Sequence, residues 1–305
     1  MSDLFRFYIY LVVISTLLTS GCAVSVDQSN NTSKKSVPSE SMANLIIPEP
    51  VPASLRAQQA LAKFNIIVMS PELTEDERAE LLFKRGLLHD SVGLPSLAFL
   101  DFKQALRFNP RLYQAYNSIG IYHTVHNDYI EAYESFDAVL EMNNEYEFAY
   151  LNRGMALYYA GRAELAVPDM QRYYEQQPGD AYRLLWRYFA AHQVDPEQAF
   201  TQLQQDSASL EQGLWVNNIV AFYLGELSQS VLLSSILEGI DTRNQMNERL
   251  CEAYFYLGKF YRHLGQEKVA SNFFKLALST NIFEFVEHRF ARVELAAIRN
   301  VNMKP

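Results

Sequence analysis

From residue 55 onward, apolar residues return every three or four positions, the spacing that gathers them on one side of an α-helix. Leu61, Phe64, Ile67 and Val68 form one such stripe within 55–69. Thr74 followed by Glu77 reads as a capping box opening the next helix, and Asp195-Pro196 as the N-cap and first turn of a later one. EFVEHRFARVELAAI, residues 284–298, carries the same period and predicts a final helix. Residues 181–250 hold both tryptophans, Trp186 and Trp215, and are patterned as helix without a clean register. They read as degenerate helical pairs, and the chain as all-α.

A longer period lies over the short one. Gly86, Gly120 and Gly154 are spaced by 34, as are Ala98, Ala132 and Ala166, and Gly93, Asn127 and Gly161. Phe102, Phe136 and Met170 follow in the same register. A displaced copy keeps the internal offsets with Gly258, Gly265, Ala270, Phe274 and Ala277. Each unit then reads as two antiparallel helices. The glycine at the eighth place and the alanine at the twentieth should face each other where the axes come closest. The fifteenth place ends the first helix in a left-handed turn that suits Gly or Asn. The aromatic at the twenty-fourth place fills the wedge between the helices. Ala105 and Ala277, at the twenty-seventh, admit the next unit, and Pro110 and Pro178, at the thirty-second, stop the second helix. This pattern resembles the tetratricopeptide repeat (TPR), which implies hairpins stacked into a right-handed solenoid with the last helix as its cap.

Composition narrows the class. Only 12 of 305 residues are glycine, too few for a glycine-rich phosphate loop fold or an all-β architecture. The formal charge is -9, and the basic doublet Lys34-Lys35 sits in a Ser-rich stretch, so no nucleic-acid partner is expected.

The first residues, MSDLFRFYIYLVVISTLLTSGC, place an apolar run after Arg6 and end it in Thr19-Ser20-Gly21 before Cys22. The run is shorter than the roughly 20 residues a bilayer span needs, so an export signal over 1–21 is expected. Small residues followed by Cys resemble a bacterial lipobox, which implies acylation of Cys22 and, with Ala23 after it, an outer-membrane destination facing the periplasm. A plain secretory signal with an incidental Cys is the alternative. Residues 22–54 are rich in Ser, Asn and Pro and read as a flexible tether carrying the lipid. The folded body then divides into 55–178 (an N-terminal helix and three contiguous units), 179–250 (degenerate helices) and 251–305 (the last unit and the C-terminal helix).

Three segments carry a narrower resemblance. NSIGIYHTVHNDYIEAYESFDAVLEMNNEYEFAYLNRGMALYYAGR (117–162), TEDERAELLFKRGLLHDSVGL (74–94) and FVEHRFARVEL (285–295) are similar to the outer-membrane TPR lipoproteins of the NlpI family. The resemblance implies a homodimeric adaptor that binds murein hydrolases, in particular a MepS-like endopeptidase, and a Prc-like tail-specific protease. It would thereby promote regulated proteolysis of the endopeptidase during cell-wall growth and division. An outer-membrane assembly factor and a periplasmic hydrolase on a helical scaffold are the rival readings.

No catalytic or metal-binding constellation emerges, and no cofactor is expected. His123 and His126 stand i, i+3 on a helix, but no third ligand accompanies them, and His123 shares the eleventh, packing place with His89. Glu287-His288 lacks a partner at triad spacing, and Cys251 reads as a small core residue. The candidate site is instead a surface. The second, fifth, ninth and twelfth places of each first helix should line the concave face. There Phe83, Leu87, Asn117, Ile121, Phe148, Leu151, Met155 and Tyr158 form a largely apolar groove for a helix or extended segment of a partner. Neighbouring helices, the tether or a dimer mate covering that face is the alternative.

Overall fold

A computed structural model describes residues 45–302, with side chains to residue 300. The expected signal, Cys22 and the tether up to residue 44 lie outside the described residues. The described residues form fourteen α-helices and no strand. Helix α1 (Leu55–Ile67) precedes three hairpins: α2 (Glu75–Ser91) with α3 (Pro95–Phe108), α4 (Tyr113–Val125) with α5 (Tyr129–Met142), and α6 (Glu147–Tyr159) with α7 (Ala163–Gln176). The region without clean register is a hairpin of α8 (Ala181–His192) and α9 (Pro196–Asp206), then two short helices, α10 (Asn217–Tyr223) and α11 (Gln229–Ser235). A last hairpin of α12 (Arg243–His263) and α13 (Glu267–Ser279) is followed by α14 (Val286–Asn302). The fold is a TPR solenoid.

Local chemistry sets the helix ends. Thr74 and Glu77 exchange side-chain and backbone hydrogen bonds as a capping box on α2. Thr242 and Gln245 do the same for α12, which begins ahead of Cys251, where the repeat register opens. Asp195 caps α9 by accepting from the backbone amide of Gln198. The turns at Gly93, Asn127, Gly161 and Gly265 are all left-handed; Asn127, at φ 64°, carries a side chain into a conformation that few residue types tolerate. Helix α1 is less enclosed than its stripe predicts. None of its residues is fully buried, and of the four stripe positions only Val68, just past its end, reaches the core.

The close approach within each hairpin differs in its partner from the sequence reading. A methyl group built on Gly120 would meet ring carbons of Phe136 at 2.5, 2.7 and 2.9 Å, and one on Gly258 would meet Phe274 at 2.5 Å. On Gly86 it would strike Phe102 at 2.5 Å and the Ala98 carbonyl oxygen at 3.2 Å. The eighth-place glycine therefore makes room chiefly for the aromatic edge from the twenty-fourth place. Ala98, Ala132, Ala166 and Ala270 are buried where the helices cross, but they are not the first atoms met. In the third unit Gly154 faces Met170 Cε at 3.0 Å, a softer neighbour.

Ion pairs add a second clip. Arg85 grips Asp101 in a bidentate pair (2.9 and 2.5 Å), and Arg153 grips Asp169 in the same register (2.8 and 2.7 Å). Both arginines occupy the seventh place and both aspartates the twenty-third. Arg153 also reaches Asp137 of the preceding unit at 2.7 Å, tying neighbouring hairpins together.

The end of the expected tether is not loose. The Val51 amide donates to the Thr280 carbonyl at 3.1 Å, Asn247 Nδ2 donates to the Glu49 carbonyl at 2.7 Å, and the Tyr254 hydroxyl donates to the Ile46 carbonyl. Leu45 and Ile46 pack against the main core and Pro48 is buried. Prolines at 48, 50 and 52 hold the segment extended, so its carbonyls are presented to α12 instead of to a helix of its own.

Candidate functional site

The C-terminal helix does more than cap the last unit. Arg289 of α14 pairs with Asp90 of α2 at 2.7 Å, Phe290 stacks on Tyr159 of α6 at 4.9 Å, and Glu294 receives hydrogen bonds from residues of α6 and α12. Helix α14 thus lies along the inner face of the repeats. Between it and the first two units is a cavity of about 760 Å³. That volume is within the range of small-molecule and peptide side-chain sites.

The structure divides the sequence-derived groove. Phe83, Leu87, Asn117 and Ile121 line the cavity, and Leu87 is 45% exposed. Leu151, Met155 and Tyr158 of the third unit are buried instead, Met155 completely. They therefore do not look into an open groove: α8 and α12 close over them, with the Trp186 ring 6.3 Å from Tyr158 and Lys259 donating to the Tyr158 hydroxyl. Phe148 stays exposed outside the cavity, edging Tyr146 and Tyr173. The covered-face alternative holds for the third unit, because the helices after it fold back across that part of the solenoid.

Several walls escaped the sequence reading. Phe283 sits over Gly93, where an added methyl would meet its ring at 2.8 Å, and with His288, Arg289 and Arg292 it forms the side of the cavity opposite the repeats. The His288 ring is buried, bonded to the Leu278 carbonyl at 3.1 Å, and burial lowers its pKa to about 4. On the repeat side, the oxygen of the Asn117 amide accepts from Asn152 at 3.0 Å. His126 Nδ1 bonds the Tyr122 carbonyl at 2.7 Å. His123 makes a longer contact to Asp128 at 3.5 Å and meets Phe99 edge-on, while His89 joins the Arg85–Asp101 pair at 3.0 Å. Among the described residues no three His, Cys, Asp or Glu side chains converge in a metal-ligand set.

Beyond the cavity lies a buried polar seam. Lys259, 2% exposed, donates to Glu294 at 2.8 Å, and Tyr159 donates to the same carboxylate oxygen at 3.0 Å while Arg262 takes the other. The Lys259 ammonium lies 4.3 Å from the Tyr158 ring centroid and 5.0 Å from that of Phe189. Burial pushes its pKa below the usual lysine range. Glu252 and Glu287 are both buried, accepting from Tyr182 (2.6 Å) and Tyr256 (2.9 Å) respectively. Burial, reinforced by the charge of Glu287, raises the Glu252 pKa to about 8. Glu252, Phe255, Lys259 and Arg262 occupy the second, fifth, ninth and twelfth places of the last unit. The offsets that found Phe83 and Leu87 would have found them, had they been carried into the displaced copy.

No family model matches the chain. A TPR protein from Parabacteroides merdae is similar in structure with a TM-score of 0.48 and 15% identity, covering 80% of this chain and 91% of its own. YrrB, described as a TPR protein with an unusual peptide-binding site, is similar with a TM-score of 0.42 and 16% identity, covering 77% of this chain and 97% of its own. MamA from Desulfovibrio magneticus matches with a TM-score of 0.38 and 17% identity over 66% of this chain and 93% of its own.

Proposed function

We propose that this protein is a non-enzymatic adaptor of the cell envelope. It would be anchored by a lipid on Cys22 and hold a segment of a partner protein in the cavity between α14 and the first two units. The observation that carries this reading is the cavity itself: Phe83, Leu87 and Ile121, from the fifth and ninth places of the first two units, face a space of about 760 Å³ beside the Asn117 amide. Water in such a space is exchanged favourably for apolar side chains of a ligand. The identity of the partners rests on the sequence resemblance: a Prc-like tail-specific protease, and a MepS-like endopeptidase with other murein hydrolases, bound by a homodimer. Two partners held on one scaffold meet at a high effective concentration, which is how an adaptor without catalysis of its own accelerates proteolysis.

A photo-crosslinking residue at Leu87, in cells whose envelope is then solubilised, tests this directly. Adducts to a processing protease or a murein endopeptidase, lost when Ile121→Glu is added on the opposite unit of the same cavity, are the expected result. Adducts only to barrel-assembly components would move the function to outer-membrane assembly. Peptidoglycan cleavage by the purified protein alone would overturn the adaptor reading. For the anchor, Cys22→Ala should release the protein from membranes, and a processed variant that stays membrane-bound would refute lipidation.

A further inference from the structure

The cavity has an unbalanced charge, and that imbalance specifies the ligand. Two arginines of α14, Arg289 and Arg292, line it, with one carboxylate, Asp90, on the opposite wall. Asp90 is taken by Arg289 at 2.7 Å. Arg292, nearly one helical turn further along the same face, makes no ion pair or hydrogen bond among the described residues. The repeat wall contributes donors. The Asn117 amide oxygen is already used by Asn152, which leaves its NH₂ to donate, and Gln114, one turn before it on α4, also lines the cavity. Each imidazole of the lining spends one ring nitrogen on a backbone carbonyl, His126 Nδ1 on Tyr122 and His288 Nε2 on Leu278. The lining thus combines apolar walls with one cation that lacks an ion-pair partner among the described residues and with the amides of Gln114 and Asn117. At the exposed edge of an apolar space, an unpaired guanidinium gains a charge-assisted hydrogen bond from an anion brought in by the ligand.

Building on the adaptor reading above, we propose that the cavity binds an extended apolar peptide segment bearing a carboxylate, and that Arg292 is the residue that recognises that carboxylate. The amides at 114 and 117 fit a peptide backbone, which has matching donors and acceptors; a plain acyl chain would bury them without partners, at a cost. The cation comes from the C-terminal helix and not from a repeat, so the specificity element and the apolar floor are separately mutable.

Fluorescence anisotropy with the full chain tests this, using three labelled peptides. One is a short Leu/Phe/Val/Ala peptide with a free C-terminal carboxylate. The second is the same peptide amidated, and the third is the amidated peptide with one internal Glu. Amidation should weaken binding about tenfold, the size of one charge-assisted hydrogen bond. Arg292→Gln, at an exposed position, should weaken the acid peptide equally and leave the amide unchanged. Restoration by the internal Glu would assign the carboxylate to a side chain; no restoration would assign it to the chain end, and either result supports the proposal. Leu87→Glu should weaken all three. If acid and amide bind alike and both depend on Leu87, the carboxylate proposal is overturned and the groove reading stands. If no peptide binds, or only a saturated fatty acid does, the proposal is overturned. The crosslinks at Leu87 then decide the adaptor reading independently.

Discussion

Replacing Gly120 by alanine sets two effects of known size against each other. In an exposed helix interior the change is favourable by about 1 kcal/mol, because alanine loses less backbone freedom on folding. Here the new methyl would lie 2.5, 2.7 and 2.9 Å from three carbons of the Phe136 ring, against an ordinary contact of 3.4 Å or more. The ring is completely buried and cannot swing aside, so either it leaves its rotamer or α4 and α5 separate. Overpacking of this kind costs about 1–3 kcal/mol, and contacts this short place it at the upper end. Gly120→Ala should therefore destabilise by about 2 kcal/mol after the propensity gain is subtracted. Gly154→Ala, at the same place in the third unit, supplies the control. Its methyl meets the terminal Cε of Met170 at 3.0 Å, which an unbranched thioether chain can move, and Met170 Cγ and Asp169 Cβ at 3.3 Å, which need give by only a few tenths of an ångström. The clash and the propensity gain then nearly cancel, within about 0.5 kcal/mol. Urea unfolding followed by circular dichroism, with the m-value compared to confirm that the same surface unfolds, measures both variants. If Gly120→Ala matched the wild type, or Gly154→Ala were equally damaging, the glycine–aromatic contact would not be what fixes this place.

The buried carboxyl pair predicts a pH dependence. Glu252 keeps its proton in the folded state up to about pH 8 but loses it near 4.5 when unfolded. Its contribution to stability is therefore full below 4.5 and declines as pH rises to 8, by at most about 1.4 kcal/mol per pH unit. Glu252→Gln mimics the protonated form, so its stability should fall less steeply between pH 5 and 8 than the wild type's; parallel curves would show that the carboxyl does not titrate there. Tyr254→Phe removes the hydroxyl that holds the Ile46 carbonyl, a bond worth about 1 kcal/mol. Proteolysis within 45–53 should quicken while the helical body resists, and an unchanged cleavage rate would mean that this segment is held by its other contacts alone.

The 34-residue period determined a great deal by itself. Glycine, the left-handed Gly or Asn and the aromatic recur because each hairpin must solve the same local packing problem within its own sequence. That is why the fold, the helix ends at Gly93, Asn127 and Gly161, and the apolar floor at Phe83, Leu87 and Ile121 were legible. The Arg85–Asp101 and Arg153–Asp169 clips are equally local, sixteen residues apart in two units, but they join polar places that the apolar period does not mark.

What the tertiary structure decided was which of those equivalent places stay open. Met155 and Leu87 occupy the same repeat position, yet one is fully buried and the other is 45% exposed. The difference comes from α8, which follows the third unit directly but leaves the 34-residue spacing, and from α12 and α14, which come back to it from far along the chain. The return of α14 along the inner face depends on long-range pairs such as Arg289–Asp90 and Glu294 with Lys259, separated by up to 199 residues. A periodic pattern records the contacts each unit makes with itself and its neighbours. It carries no record of a later helix lying across several units at once, and that crossing is what turned a continuous groove into a closed seam beside a cavity.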